Sequence, residues 1–228
     1  SDQSVVGIND TLPVINQSVT VMGNRPRGQT FSYLTIENPQ LLYIFVINVT
    51  DSPNPVVFEN LNLVSSNTLF IVNGTSQLVL ANFRCYFSIV CVELNPSLPV
   101  TPARQSLLVI ESRFEGNAVS ILHRNGYFAC EDSTFFNILD VAMLTFNSDT
   151  NNPYNTYMSL YNNVFVNVLY PLAYENLALA NPYFEPPRLS NTYTDATAYV
   201  SCQTYTPVST ANAPTSFGVS STPCTSNC

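Results

Sequence analysis

Apolar residues in this chain come in short clusters or alternate with polar ones; they do not recur at helical spacing. Phe, Tyr, Val, Ile, Leu and Thr fill runs of a few residues, separated by Asn, Asp, Ser, Pro and Gly. That pattern predicts strands over about residues 31–170 and no amphipathic helix. Runs such as Leu69–Val72 and Leu107–Ile110 are nearly continuous, which suits strands shielded on both faces at least as well as a half-exposed sheet.

One phrase returns along the middle of the chain. It reads LVLANFRCYFSIVCVEL from Leu78, LLVIESRFEGNAVSIL from Leu107, FACEDSTFFNILDVAML from Phe128 and MSLYNNVFVNVLYPLAYEN from Met158. Each copy is an apolar strand, a small polar pair, an aromatic, a polar turn and a second apolar strand. Such a unit predicts one layer of structure stacked on itself. Phe114 to Phe135 spans about 21 residues; Phe83 to Phe114 and Phe135 to Phe165 each span about 30. The longer steps contain turn-rich insertions, Asn95–Pro102 and Asn147–Pro153, which loop out of a solenoid rung. The alignment predicts two ladders: Asn82, Ser112, Ser133 and Asn163 in one column, and Asn117, Asn137 and Asn167 in another. Phe114, Phe135 and Phe165 are expected to stack inside.

Three segments follow. Residues 1–30, polar and turn-rich, read as a cap that covers the first rung. Residues 31–170 carry the repeat. Residues 171–228 form an irregular C-terminal tail, opened by the Pro-rich Asn181–Pro187 stretch and ending in Ser, Thr, Pro, Ala and Gly. The fold class expected is all-β, a right-handed parallel β-helix with that tail. The start at Ser1 and the stop at Cys228 suggest a processed or excerpted chain.

Composition narrows the function. The chain is 46% hydrophobic and 10% charged, against roughly 25% charged for an average soluble domain. Its seven basic residues are all arginine and its net charge is −8, which argues against nucleic acid and against an anionic membrane. The longest apolar run, Leu41–Val49, is too short for a transmembrane helix. The six cysteines, Cys85, Cys91, Cys130, Cys202, Cys224 and Cys228, contain no C-x-x-C pair, and His123 is the single histidine. Disulfides in an oxidising compartment are expected, and no metal site. The alternative for Cys85, Cys91 and Cys130 is a buried core thiol. Asn9, Asn16, Asn48 and Asn73 satisfy the N-glycosylation pattern.

Ser133-Thr-Phe-Phe-Asn137 and Asn163-Val-Phe-Val-Asn167, with a looser copy at Ser112–Asn117, resemble the rungs of the right-handed parallel β-helix of pectin-lyase-like proteins. Phe-x-x-Asn tetrads at Phe45–Asn48, Phe70–Asn73 and Phe114–Asn117 are similar to those of surface proteins of the polymorphic outer-membrane type. The Gly-Gly-Ala-Ile motif of those proteins is absent. The resemblance implies the fold and a surface role.

Many pectin-lyase-like proteins cut polysaccharides, but the Asn-Thr-Asp, Asp-Asp, Gly-His-Gly and Arg-Ile-Lys motifs of polygalacturonase-like members are missing. The nearest catalytic candidate is Glu111 with Glu131 and Asp132 on the next rung, flanked by Arg113: carboxylates about 4.8 Å apart can share a cation or act as acid and base. The same set also describes a solvated face on which an arginine screens acids. His123, before Asn125-Gly126, is expected in an exposed loop. No cofactor is expected.

The reading is a non-catalytic extracellular structural or adhesive glycoprotein module, at a cell or virion surface: a coat, filament or spike component. Its partners would be further copies, other surface proteins or glycans, met through the insertions at 95–104 and 147–156 and the Tyr-rich C-terminal segment. A polysaccharide lyase or hydrolase, and a carbohydrate-binding module without turnover, are the alternatives.

Overall fold

Short β-branched and aromatic runs broken by single Asn or Gly residues fold here into coils of three strands. The structure, a computed structural model, describes residues 3–7, 14–23, 33–37, 43–50, 52–65, 67–95, 105–124, 126–146, 156–168, 170–175, 183–184, 191–194 and 200–202. All regular elements among them are strands. The first coils comprise β1 (Gln3–Gly7), β2 (Thr20–Met22), β3 (Tyr33–Glu37), β4 (Tyr43–Ile47) and β5 (Val56–Glu59). The chain continues through β6 (Asn62–Val64), β7 (Thr68–Asn73), β8 (Leu78–Ala81), β9 (Arg84–Tyr86), β10 (Val90–Asn95) and β11 (Leu107–Ile110). Next come β12 (Arg113–Glu115), β13 (Val119–His123), β14 (Gly126–Glu131), β15 (Thr134–Phe136), β16 (Val141–Phe146) and β17 (Thr156–Tyr161). The last are β18 (Val164–Val166), β19 (Tyr170–Glu175), β20 (Tyr183–Phe184), β21 (Thr192–Thr194) and β22 (Val200–Cys202).

These strands build three sheets, visited in rotation. Sheet A has the order β1-β3-β6-β9-β12-β15-β18-β21, sheet B the order β4-β7-β10-β13-β16-β19-β22, and sheet C the order β2-β5-β8-β11-β14-β17-β20. Neighbouring strands in each sheet are parallel, and each coil runs C, A, B before returning to C one step along the axis. This is a parallel β-solenoid, as the repeat predicts. The ladder extends beyond residues 31–170 at both ends: β1 pairs with β3, β2 with β5, β18 with β21 and β19 with β22.

The core is the inside of the coil. Strands of sheet A are short, and their central residues, Leu63, Cys85, Phe114, Phe135 and Phe165, are wholly buried in one column. The three phenyl rings stack, with centroids 4.9 Å apart at each step and interplanar angles of 5° and 9°. That separation matches the ~4.8 Å spacing of paired strands, so backbone register sets ring register. Each buried ring contributes about 2–3 kcal/mol by burial alone. Sheet C alternates as a half-buried strand should, with Val56 and Phe58, Leu78 and Leu80, and Leu107 and Val109 facing inward. In sheet B, β7 buries Leu69, Phe70, Ile71 and Val72 without alternation, the shielding that its continuous apolar run predicts.

Two corner types make the coil turn. Between sheets C and A the turning residue is Asn60, Asn82, Glu111, Asp132 or Asn162, with φ between 46° and 57°. Between A and B it is Phe87, Gly116, Asn137 or Asn167, with φ between 50° and 68°. A single left-handed residue redirects the chain sharply, and Asn and Gly tolerate that conformation best.

The columns differ in phase from the sequence alignment. Asn82 lines up with Glu111, Asp132 and Asn162, while Phe83 lines up with Ser112, Ser133 and Asn163. Asn117 lies beside Ser88, one position past the column of Gly116, Asn137 and Asn167. Cys85, not Phe83, stands under Phe114. The cause is that each corner has an outward and an inward position side by side, and Asn serves in both.

Candidate functional site

At the C-to-A corner the inward position carries a buried polar ladder. The Phe83 amide donates to Ser112 Oγ (3.1 Å), the Ser112 amide to Ser133 Oγ (3.0 Å), the Ser133 amide to Asn163 Oδ1 (3.0 Å) and the Asn163 amide to Asn191 Oδ1 (2.7 Å). Ser112 and Ser133 donate in turn to the carbonyls of Ile110 and Glu131, both at 2.8 Å, and Asn163 Nδ2 donates to the Cys130 carbonyl at 2.9 Å. These side chains take up backbone groups that turn away from the sheets at the corner, groups that would be expensive to leave unpaired. Asn117 does the same at the A-to-B corner, accepting from the Ser88 amide at 3.0 Å.

The outward position carries the acids. Glu111 and Asp132 are exposed and successive in one column. Asp132 Oδ1 accepts from Asn162 Nδ2 at 2.5 Å, in a column where Asn82 Nδ2 donates to Asn60 Oδ1 at 2.6 Å. Glu131 lies one position earlier, level with Ile110 and Tyr161 on the outer side of sheet C. Arg113 leaves the corner: on the outer face of sheet A its guanidinium pairs with Glu115 at 2.9 Å and lies 4.9 Å from the centre of the Phe136 ring. The fold therefore brings Glu111 and Asp132 together and directs Arg113 to another carboxylate. Among the described residues no group of three or more His, Cys, Asp or Glu side chains is arranged to hold a metal ion.

His123 corrects the expectation of an exposed loop. It ends β13 facing inward and is wholly buried, in a column with Ile47, Val72 and Leu94. Nε2 lies 2.8 Å from the Gly126 carbonyl, the ring edge meets Phe128 at 6.0 Å, and Nδ1 has no hydrogen-bond partner among the described residues. Burial lowers its pKa from 6.5 to about 4, opposed by the bond to Gly126. The histidine precedes the Asn125-Gly126 pair, on the last inward position of a strand.

Cys85 and Cys91 form a disulfide across the A-to-B corner of one coil, with a Cα–Cα distance of 6.3 Å. Cys130 is a free, buried thiol whose Sγ lies 3.3 Å from Asn163 Oδ1; burial pushes its pKa well up and keeps it neutral. Cys130 is thus a core thiol, the alternative that its apolar strand allows. The Cys202 backbone pairs within sheet B, while Cys224 and Cys228 lie outside the described residues. Of the glycosylation candidates, Asn16 and Asn48 are exposed, Asn73 is half-buried before Gly74 (φ 63°), and Asn9 lies outside the described residues. Of the insertions at 95–104 and 147–156, residues 96–104 and 147–155 lie outside them, as does most of the Tyr-rich tail.

One surface feature escapes a sequence reading. Phe87, Ile89 and Leu139, at 63%, 58% and 70% exposure, are large apolar residues projecting from the A-to-B corner. Phe87 also takes a left-handed backbone (φ 59°), and its ring lies over Gly116, where an added Cβ would meet it at 2.6 Å. In sequence these residues look like parts of the flanking strands. Only the corner geometry turns them outward.

No helix among the described residues is long and apolar enough to cross a membrane. No protein-family model and no curated protein matches this chain.

Proposed function

We propose that the chain is a non-catalytic structural or adhesive module of an extracellular surface, related in fold to pectin-lyase-like β-helix proteins. The observation that carries this reading is the use made of its polar side chains. Those inside the corners are bonded to the backbone of neighbouring coils, and those outside, Asn82 with Asn60 and Asn162 with Asp132, are bonded to each other. Arg113, which follows Glu111 at this corner, is engaged by Glu115. A solenoid whose corner side chains are engaged in this way suits a load-bearing or spacing role better than it suits proton transfer. The disulfide and the exposed sequon asparagines Asn16 and Asn48 favour an oxidising, glycosylating route. Partners on this reading are other surface proteins, glycans or further copies of the chain.

The test is incubation of the secreted chain with calcium and oligogalacturonides. No unsaturated or reducing ends should appear. Their release, abolished by Asp132→Ala, would replace this proposal by a polysaccharide lyase or hydrolase. An intact-mass shift on deglycosylation, mapped to Asn16 or Asn48, checks the compartment.

A further inference from the structure

His123 continues a column that is aliphatic through the three preceding coils and is followed by Thr145 on the next. Ile47, Val72, Leu94 and His123 follow one another inward from sheet B, all wholly buried. The connection that His123 begins is also the tightest between sheets B and C. Only Arg124 and Asn125 separate β13 from β14, while 96–106 and 147–155 separate the same sheets in the coils on either side. The turn closes on Gly126 (φ 102°), and inside the coil His123 Nε2 clasps the Gly126 carbonyl, while outside it Arg124 pairs with Glu93. The Arg124 amide ties the turn back to the Leu94 carbonyl at 2.9 Å.

We propose that His123 is an acid-operated latch on this turn: neutral, it holds Gly126 and seals the core, and protonated, it releases the turn and opens the adjoining coils. A neutral imidazole donates through Nε2 and leaves Nδ1 a bare acceptor, which an apolar site tolerates. The imidazolium must place a second N–H, on Nδ1, which has no hydrogen-bond partner among the described residues, and a full charge among Leu94, Phe128 and the column below. No carboxylate on the packed elements offsets it. On β10, Glu93 points to the opposite face of the sheet and pairs with Arg124 at 2.9 Å. On β14, Glu131 lies on the outer face, Tyr127 faces outward, and Cys130 is a neutral thiol. β16 carries no titratable residue, and Cys91 is in the disulfide.

The direction in pH follows from the depressed basicity. Above the ordinary imidazole value of 6.5, folded and unfolded states are both neutral and the latch is closed. As pH falls toward about 4, the unfolded or opened state takes the proton first, so stability declines across that window. The folding equilibrium constant falls by up to about tenfold per pH unit, and by about two orders of magnitude in all.

The test uses the whole chain, in which this ring is the single histidine and gives an unambiguous NMR signal. Its imidazole should remain neutral to below pH 5. Its protonation should coincide with loss of amide protection in Val119–His123 and Gly126–Cys130. In urea titrations His123→Leu, which continues the aliphatic column, should lack that part of the acid destabilisation between pH 6.5 and 4. A ring that titrates near 6.5 with amide protection intact overturns the proposal, and so does an unchanged pH dependence in His123→Leu. If that variant does not fold, the ring and amide titrations of the unaltered chain decide alone.

Discussion

Phe87 holds a backbone conformation that costs a bulky L-residue about 1–2 kcal/mol, and it exposes most of its ring while doing so. The equivalent positions on later coils carry Gly116, Asn137 and Asn167, residues suited to a left-handed backbone. Phe87→Asn is therefore expected to stabilise the protein by about 1 kcal/mol, read as a higher urea midpoint. An unchanged or lower midpoint would mean that the ring over Gly116 contributes more than the backbone strain removes. Asn163 has the opposite standing. It accepts from the Ser133 amide and donates to the Cys130 carbonyl, both buried. Asn163→Ala leaves those groups unpaired and should cost about 3 kcal/mol. Asn163→Ser should recover part of that loss, because Ser112 and Ser133 perform the same task one and two coils earlier. Calorimetric melting of the pair of variants checks the order.

At the scale of the element, strand content and period were readable because Phe114, Phe135 and Phe165 lie in compact or cleanly interrupted repeats, and those three rings do stack. Phase was harder. The Ser133–Phe135–Asn137 phrase contains an inward ladder residue, a core ring and an outward turn residue, and Asn fills either polar place. Aligning on Asn therefore merges neighbouring columns. Cys85 hid for a related reason: a small sulfur residue stands where the repeat has an aromatic, and its disulfide to Cys91 fills the gap beside it. His123 was misplaced because an Asn-Gly turn signal outweighs one polar residue at the end of a strand. In the candidate site, the neighbouring Glu111 and Asp132 followed from the register. The partner of Arg113 did not, since side-chain direction at a left-handed corner is invisible in sequence. The disulfide closes a loop of sequence separation 6. So short a loop supplies about 2 kcal/mol of unfolded-state restriction. Replacing Cys85 and Cys91 together by Ala should lower stability by about that amount, or somewhat more for lost packing, with an unchanged denaturant slope.

For the molecule as a whole, contacts run mainly between one coil and the next, as the pairing of each strand with its predecessor and successor requires. Stability in such an array is a sum of coil and interface contributions, and opening is local. Basic residues are few and all arginine, and Pro26 blocks cleavage after Arg25, so trypsin has six potential sites. Arg84 and Arg113 begin strands within sheet A, and Arg124 is held in an ion pair with Glu93. Limited trypsinolysis under native conditions is expected to spare these three while the stack is intact. Early cutting after Arg113 would show that the central coils open readily. Below pH 5, amide hydrogen exchange should rise first at Arg124, because it lies in the turn that His123 holds.

Leu107 lies in register with Phe128, so the coil between them closes on itself with no residue to spare. Because each strand recognises only the layer beside it, this segment is interchangeable with a tandem copy of itself. Length along the axis is then quantised in increments of about 4.8 Å. A gene that duplicated such a segment would obtain a longer spacer at one stroke, with both ends of the original object preserved.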